Sequence, residues 1–238
     1  MAGKRKPTAI ITSPPYGNLK DYGSPGQIGF GQSYSEYLDD MDAVFRGLAQ
    51  VSSDKTTLWL IVDTFRENDP ATSVWTLRQI PSDLSALAQQ HGWIARDVII
   101  WEKDRTLPWS GAGRLRNSFE YVLMFVRGPG FTYNAGQVRT PVRKDGWWER
   151  WPERHHPSGS VPTNVWSIPI PIQGSWRTDA DHACPLPPEL ARRLVILSSS
   201  PGDAVLDPFA GTGTVLAVAA DLRRDAFGVD LSLSLIHI

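Results

Sequence analysis

The sequence predicts an α/β fold, a mostly parallel sheet with helices on both faces. Two observations carry this: short strand candidates that are apolar throughout, and amphipathic helix candidates that alternate with them. A strand without a polar side must be covered on both faces, which is the condition of a parallel sheet between helical layers. The β-branched run Thr8–Thr12, stopped by Pro14 and Pro15, is the first strand. Ser35–Val51 sets Tyr37, Leu38, Met41, Phe45, Leu48 and Val51 on one helical face, with Ser33 or Ser35 as cap. Leu58–Val62 is a second apolar strand and ends at Asp63. Ser82–His91 is helical through Leu84, Leu87 and Ala88, with Gly92 placed to stop it. Val98–Trp101 and Tyr121–Val126 are further strands. After a break, the rhythm returns with a helix near Pro188–Leu197, a strand at Ala204–Leu206, a helix from Thr214 and a strand at Phe227–Asp230.

The break, Gly128–Trp176, is rich in Pro, Gly, Trp, Arg and His and has no helical period. It is too long for an ordinary connection and reads as either a functional insert or a partly disordered segment. The expected organisation is therefore one half-domain at 1–127, an insert at 128–176 and the second half at 177–232. Residues 233–238 (Leu-Ser-Leu-Ile-His-Ile) continue no element and match the translation of a sequencing adaptor, so they are expected to be a non-native tail on a shortened chain.

Composition narrows the function. Apolar residues make up 41% of the chain and charged residues 21%, enough for a real core. The single cysteine, Cys184, excludes an internal disulfide and thiolate zinc clusters, and His155 and His156 lack a second ligand pair; no metal is expected. Apolar runs such as Leu58–Val62 are far short of the roughly 20 residues a membrane span needs, so the reading is a soluble cytoplasmic protein. Net charge is −1, which argues against indiscriminate coating of nucleic acid. The central residues 103–154 nevertheless hold ten Lys/Arg against five Asp/Glu, a local face for a polyanion.

Two motifs carry chemistry. In Val205-Leu206-Asp207-Pro208-Phe209-Ala210-Gly211-Thr212-Gly213-Thr214 a strand runs into a glycine turn that opens a helix, and Asp230 ends the following strand. Glycines let backbone approach a ligand, and the later carboxylate suits ribose hydroxyls. This is not the three-glycine fingerprint that holds a pyrophosphate. Asp207 at the strand tip attracts a cation rather than a phosphate, so S-adenosyl-L-methionine fits better than NAD or ATP. The second motif is Ser13-Pro14-Pro15-Tyr16. Its prolines stiffen the loop and remove two donors, leaving nearby carbonyls as acceptors. With the Ser13 hydroxyl and the Tyr16 ring, that set suits a planar amine. Alone, the string also fits a polyproline turn or docking segment.

Together the motifs resemble the amino-group DNA methyltransferases of permuted, beta-type motif order, where the catalytic loop precedes the target-recognition region and the methyl-donor site comes last. The resemblance covers nearly the whole chain. Ser13–Tyr16 is similar to the catalytic tetrapeptide, Asp207–Thr214 to the cofactor loop and Asp230 to the ribose-binding acid. Asp179–Leu197 resembles the segment before the cofactor loop, and Trp101–Lys103 and Arg116–Val126, with Asn117 and Glu120, the middle motifs. Family members carry another strand and helix after the Asp230 position.

The resemblance implies a Rossmann-like methyltransferase fold and direct transfer of a methyl group from S-adenosyl-L-methionine to the exocyclic nitrogen of a base flipped out of duplex DNA. Catalytic residues would be Ser13, Pro14, Pro15 and Tyr16, the last as stacking platform. Asp207, Phe209, Gly211, Gly213, Thr214 and Asp230 would bind the cofactor. The insert would be the target-recognition region, with Arg139, Arg143, Lys144, Arg150 and Arg154 among Trp147, Trp148 and Trp151 on the DNA. Serine at position 13 is associated in this family with cytosine N4, aspartate or asparagine with adenine N6. Cys184 precedes Pro185, the reverse of the order used for attack on a cytosine ring carbon, and reads as a small buried residue. A cognate restriction endonuclease is a possible partner. Alternatives are adenine-N6 specificity, a non-catalytic DNA-binding remnant, or an RNA or protein amine as substrate.

Overall fold

The computed structural model describes residues 5–19, 21, 23, 25–69, 71–105, 113–141, 147–154, 156–171 and 186–231. Strand β1 (Ala9–Thr12) is wholly buried and leads through the proline loop to a 3-10 turn at Gly17–Leu19. Helix α1 (Tyr34–Val51) is started by Ser33. The Ser33 hydroxyl accepts from the Glu36 amide while the Glu36 carboxylate accepts from the Ser33 amide, a reciprocal cap. Strand β2 (Thr57–Val62) is buried on both faces. A hairpin that the sequence reading passed over follows, β3 (Phe65–Asp69) and β4 (Val74–Arg78). Helix α2 (Ile80–Gln90) ends before Gly92, whose φ of +77° marks the reversal. Next come β5 (Ile94–Glu102), β6 (Phe119–Val126), the one-turn α3 (Trp147–Arg150), β7 (Val165–Ser167), α4 (Pro188–Ser198), β8 (Ala204–Asp207), α5 (Thr214–Asp221) and β9 (Asp225–Gly228). The last strand starts and ends two residues earlier than the sequence suggested, so Asp230 lies just beyond it.

The main sheet has the order β7-β5-β6-β2-β1-β8-β9. Only β6 runs against the rest, because it returns directly from β5 without a crossover helix. Alternate residues feed two cores. Ile10, Leu58, Leu60 and Phe125 pack with Tyr37, Met41 and Phe45 of α1 and Leu84 of α2. Ile11, Trp59, Ile61 and Val205 pack with Leu190, Leu194 and Val195 of α4 and Val215 of α5 on the other face. The expected two-sided α/β architecture is therefore present.

Chain order reverses at β1, which pairs in parallel with β2 on one side and β8 on the other. The crossovers from the two neighbours lie on opposite faces, so a crevice opens between the carboxyl ends of β1 and β8. Such switch points are where open α/β sheets bind ligands. The irregular stretch is stitched to this body. The Asn134 side chain donates to the carbonyls of Ile196 (3.1 Å) and Ser199 (3.0 Å), satisfying the end of α4. Strand β7 joins the sheet edge through Ile100↔Val165, Trp101↔Trp166 and Glu102↔Ser167. No helix among the described residues is long and apolar enough to cross a membrane.

Candidate active site

The two motifs meet at the β1/β8 crevice. The buried Thr12 hydroxyl donates to Asp207 Oδ1 at 2.6 Å, joining residues 195 positions apart, and the Phe209 amide donates to the same oxygen at 3.1 Å. Tyr16 and Phe209 pack against the same hydrophobic cluster. Burial pushes the Asp207 carboxyl up to about 7, helped by the nearby charge of Asp230 and opposed by the two hydrogen bonds. Among the described residues no lysine or arginine acts on it. A carboxylate buried without a cationic neighbour fits a positively charged ligand and repels a phosphate.

The glycine turn is held from below by the exit of β9. Gly211 and Gly213 have φ of +50° and +77°, a backbone that a side chain would strain. The Gly211 amide donates to Asp230 Oδ2 at 2.8 Å, the Ala210 amide to the Val229 carbonyl at 2.9 Å, and the Val229 amide to the Asp207 carbonyl at 3.0 Å. Phe209 and Thr214 are half-buried, and the Thr214 hydroxyl lies 3.4 Å from that of Thr212. A buried carboxylate, a tight glycine backbone, a half-buried ring and a second carboxylate together fit a cationic nucleoside.

On the β1 side, Pro14 is buried and Pro15 half-buried. The expected acceptors are only partly free: Tyr37 donates its hydroxyl to the Pro15 carbonyl at 2.9 Å. The Pro14 carbonyl has no hydrogen-bond donor among the described residues. The Ser13 hydroxyl lies 3.1 Å from the Tyr16 hydroxyl. Tyr16 in turn donates to Glu120 Oε2 at 2.8 Å, with the Ile61 carbonyl at 3.3 Å. Burial first, then the Glu120 charge, pushes the Tyr16 phenol well above its ordinary range. The ring is thus anchored at its oxygen.

The sequence resemblance placed Lys103, Asn117 and Glu120 in the middle motifs without a role; the structure joins them with Asp63 into a polar set behind that ring. Lys103 pairs with Glu120 Oε1 at 2.6 Å, and Asn117 donates to Asp63 Oδ2 at 2.6 Å. Burial and the Glu120 charge raise the Asp63 carboxyl. Asp63 follows β2, Lys103 follows β5 and Glu120 begins β6, all at the edge where β1 and β8 end. The available signal was that each ionisable residue sits at the tip of an apolar strand.

The basic residues of the insert are less united. Arg139 is half-buried and donates to the Gly159 carbonyl at 2.6 Å, so it braces the loop. Arg150 is exposed. Arg154 is exposed, lies 3.9 Å from Glu153 and stacks 5.1 Å from the Trp151 ring centre. Arg143, Lys144, His155, Cys184 and the tail 233–238 lie outside the described residues. Among the described residues no group of three His, Cys, Asp or Glu side chains is arranged to hold a metal ion.

The DNA methylase family model N6_N4_Mtase matches residues 8–238. This chain belongs to that family. It is 31% identical to the type II methyltransferase M.XycI of Xanthomonas campestris pv. cyanopsidis, over 94% of this chain and 76% of that protein. The type II methyltransferase M.SmaI of Serratia marcescens is also 31% identical, over 94% and 79%. Among solved structures, TTHA0409 of Thermus thermophilus, a candidate DNA modification methylase complexed with S-adenosyl-L-methionine, is similar with a TM-score of 0.64 and 26% identity, covering 98% of this chain and 84% of that one. The cytosine-N4-specific PvuII DNA methyltransferase superposes with a TM-score of 0.68 at 14% identity, covering 96% and 77%, a likeness of fold. The chain is a DNA methyltransferase of the N4/N6 amino group, and the sequence resemblance is borne out at that level.

Proposed function

We propose that this DNA methylase transfers a methyl group to the exocyclic N4 of cytosine in duplex DNA. The observation that carries the reading is the Thr12–Asp207 hydrogen bond, which sets the amine-binding loop beside the donor-binding turn. S-adenosyl-L-methionine, when bound, supplies an electrophilic methyl on a sulfonium centre. Asp207, Phe209, Gly211, Gly213, Thr214 and Asp230 would hold it, Asp207 favouring its positive charge.

Ser13 and the Pro14 carbonyl accept hydrogen bonds from the target amine. Those bonds draw the nitrogen lone pair out of conjugation with the ring and aim it across the crevice. Rate enhancement then rests on position and electrostatics, with no covalent bond between protein and base. A base inside the duplex does not reach a loop at the foot of a crevice, so it must be flipped out, with the anchored Tyr16 ring as its stacking surface. Pro15 keeps the loop rigid, its own carbonyl being engaged by Tyr37. Arg139, Arg143, Lys144, Arg150 and Arg154 are assigned to the DNA side of the insert, Arg139 by bracing the loop. A cognate restriction endonuclease is the partner this reading proposes.

Ser13 at the head of the tetrapeptide favours cytosine. The test is to incubate the purified protein with labelled methyl donor and duplex DNA, then resolve the modified nucleosides by mass spectrometry. N4-methylcytosine supports the reading, N6-methyladenine alone assigns the adenine alternative, and donor binding without any product assigns the non-catalytic one.

A further inference from the structure

The hydroxyl of Ser13 is of use to an incoming NH₂ only as an acceptor, yet a serine hydroxyl donates as readily as it accepts. Its direction is set by what lies behind it. Tyr16 has one proton and, among the described residues, three oxygens within reach: Glu120 Oε2 at 2.8 Å, Ser13 Oγ at 3.1 Å and the Ile61 carbonyl at 3.3 Å. The carboxylate is the closest and the only charged acceptor, so it takes the proton. The Tyr16 oxygen is then left to accept, and the Ser13 proton turns towards it. Both Ser13 lone pairs are thereby left for a ligand. Lys103 lies 2.6 Å from the other Glu120 oxygen, an ion pair in a poorly solvated place, the two side chains being 18% and 14% exposed.

We propose that Glu120, backed by Lys103, is a positioning residue that fixes the hydrogen-bond direction Ser13→Tyr16→Glu120 and so makes Ser13 an obligate acceptor for the target amine. It rests on the amine-holding reading of Ser13 given above. Lys103 and Glu120 touch neither the amine nor the methyl donor; they act through Tyr16.

The polarity can be reversed without changing shape. In Glu120→Gln the ammonium of Lys103 claims the amide oxygen, and the amide NH₂ faces Tyr16. Tyr16 then accepts from Gln and gives its proton to the nearer of its two remaining acceptors, Ser13 at 3.1 Å rather than the Ile61 carbonyl at 3.3 Å, so the Ser13 proton turns to the substrate amine, donor against donor. E120Q should lower kcat on the order of tenfold or more while the KM for the methyl donor stays put. Adding Lys103→Met frees the amide to rotate and offer its oxygen to Tyr16. The K103M/E120Q enzyme should therefore turn over roughly fivefold or more faster than E120Q, although K103M alone lowers the wild-type rate. If Glu120 and Lys103 merely stabilise the fold, the two losses accumulate, and that result overturns the proposal.

A second readout needs no turnover. The tyrosine Fermi doublet in the ultraviolet resonance Raman spectrum distinguishes a phenol that donates from one that accepts, and Tyr16 is isolated by subtracting the Y16F spectrum. A doublet that shifts from strong donation, to the Glu120 carboxylate, towards acceptance in E120Q is the expected result; an unchanged doublet refutes it. If the wild type methylates no nucleic acid, the functional reading falls, while the Raman comparison still decides the hydrogen-bond direction.

Discussion

Thr12→Val separates the two halves of the crevice with the smallest change available. The substitution keeps the branched shape that β1 needs and removes the hydroxyl that donates to Asp207 at 2.6 Å. Thr12 is 1% exposed and Asp207 4%, so no water replaces the lost donor. The cost depends on the charge of Asp207. Its carboxyl is raised from an ordinary 3.8 to about 7, so it is largely neutral in the folded protein at pH 5.5 and largely ionised at pH 8. For a group raised on folding, the stability it lends is complete below pH 4 and is lost as pH climbs through 7. The Thr12 bond offsets part of that loss, because it favours the ionised form. Hydrogen bonds to charged groups contribute about 1.5–3 kcal/mol and neutral ones about 1. T12V should therefore cost about 2 kcal/mol at pH 8 and about 1 kcal/mol at pH 5.5. Urea unfolding at the two pH values, with unchanged m, measures both. Equal losses at the two values would refute the account of Asp207 as a buried, half-compensated carboxylate.

Three further outcomes are expected. Affinity for S-adenosyl-L-methionine should rise roughly tenfold from pH 6 to pH 8 as Asp207 ionises, and Asp207→Asn should make titration calorimetry flat across that range. A methyl group at Gly228 would collide with Leu216 Cδ1 and sit 3.1 Å from Ala210 Cβ, so Gly228→Ala should cost about 1–3 kcal/mol and show as a lowered Tm. Replacing the exposed Arg150 and Arg154 by alanine should weaken duplex binding and reduce the slope of log K against log salt by up to about 2, read by fluorescence anisotropy over a salt series.

What the sequence revealed follows from where information is local. Leu58–Val62 was legible because a run buried on both faces has no polar residue to confuse it; the strand itself starts one residue earlier, at Thr57. Helix α1 was legible because one face repeats from Tyr37 to Leu48; its cap, left open between Ser33 and Ser35, is Ser33 in reciprocal bonding with Glu36. The β3–β4 hairpin was not. It buries no face of its own, leaves Val74, Trp75 and Leu77 in solvent, and is held by cross-strand pairs such as Arg78 with Glu67, at 2.8 Å, that only pairing creates. Strand β7 escaped for another reason: three residues with only Trp166 buried contain no period at all. Its place is given by β5, not by itself.

The site divides along the same line. Ser13–Tyr16 and Asp207–Thr214 are contiguous strings whose prolines and glycines dictate backbone shape, so each could be read where it stands. Lys103 and Glu120 could be placed in middle motifs by resemblance and Asp63 only at a strand end, but the three, separated by 40 and 17 positions, acquire a joint role only through topology. In a sheet whose strands run parallel, every carboxyl end lies at one edge, and the reversed β6 brings its amino end there too. Any polar residue one step past an apolar strand is thus delivered to the same rim, whatever the chain order. That is why loops 195 residues apart can share one crevice, and why a family can permute its motifs while the chemistry stays in place. The same reasoning makes Lys103, at the far strand of the set, the residue whose loss should be felt at Ser13 without touching it.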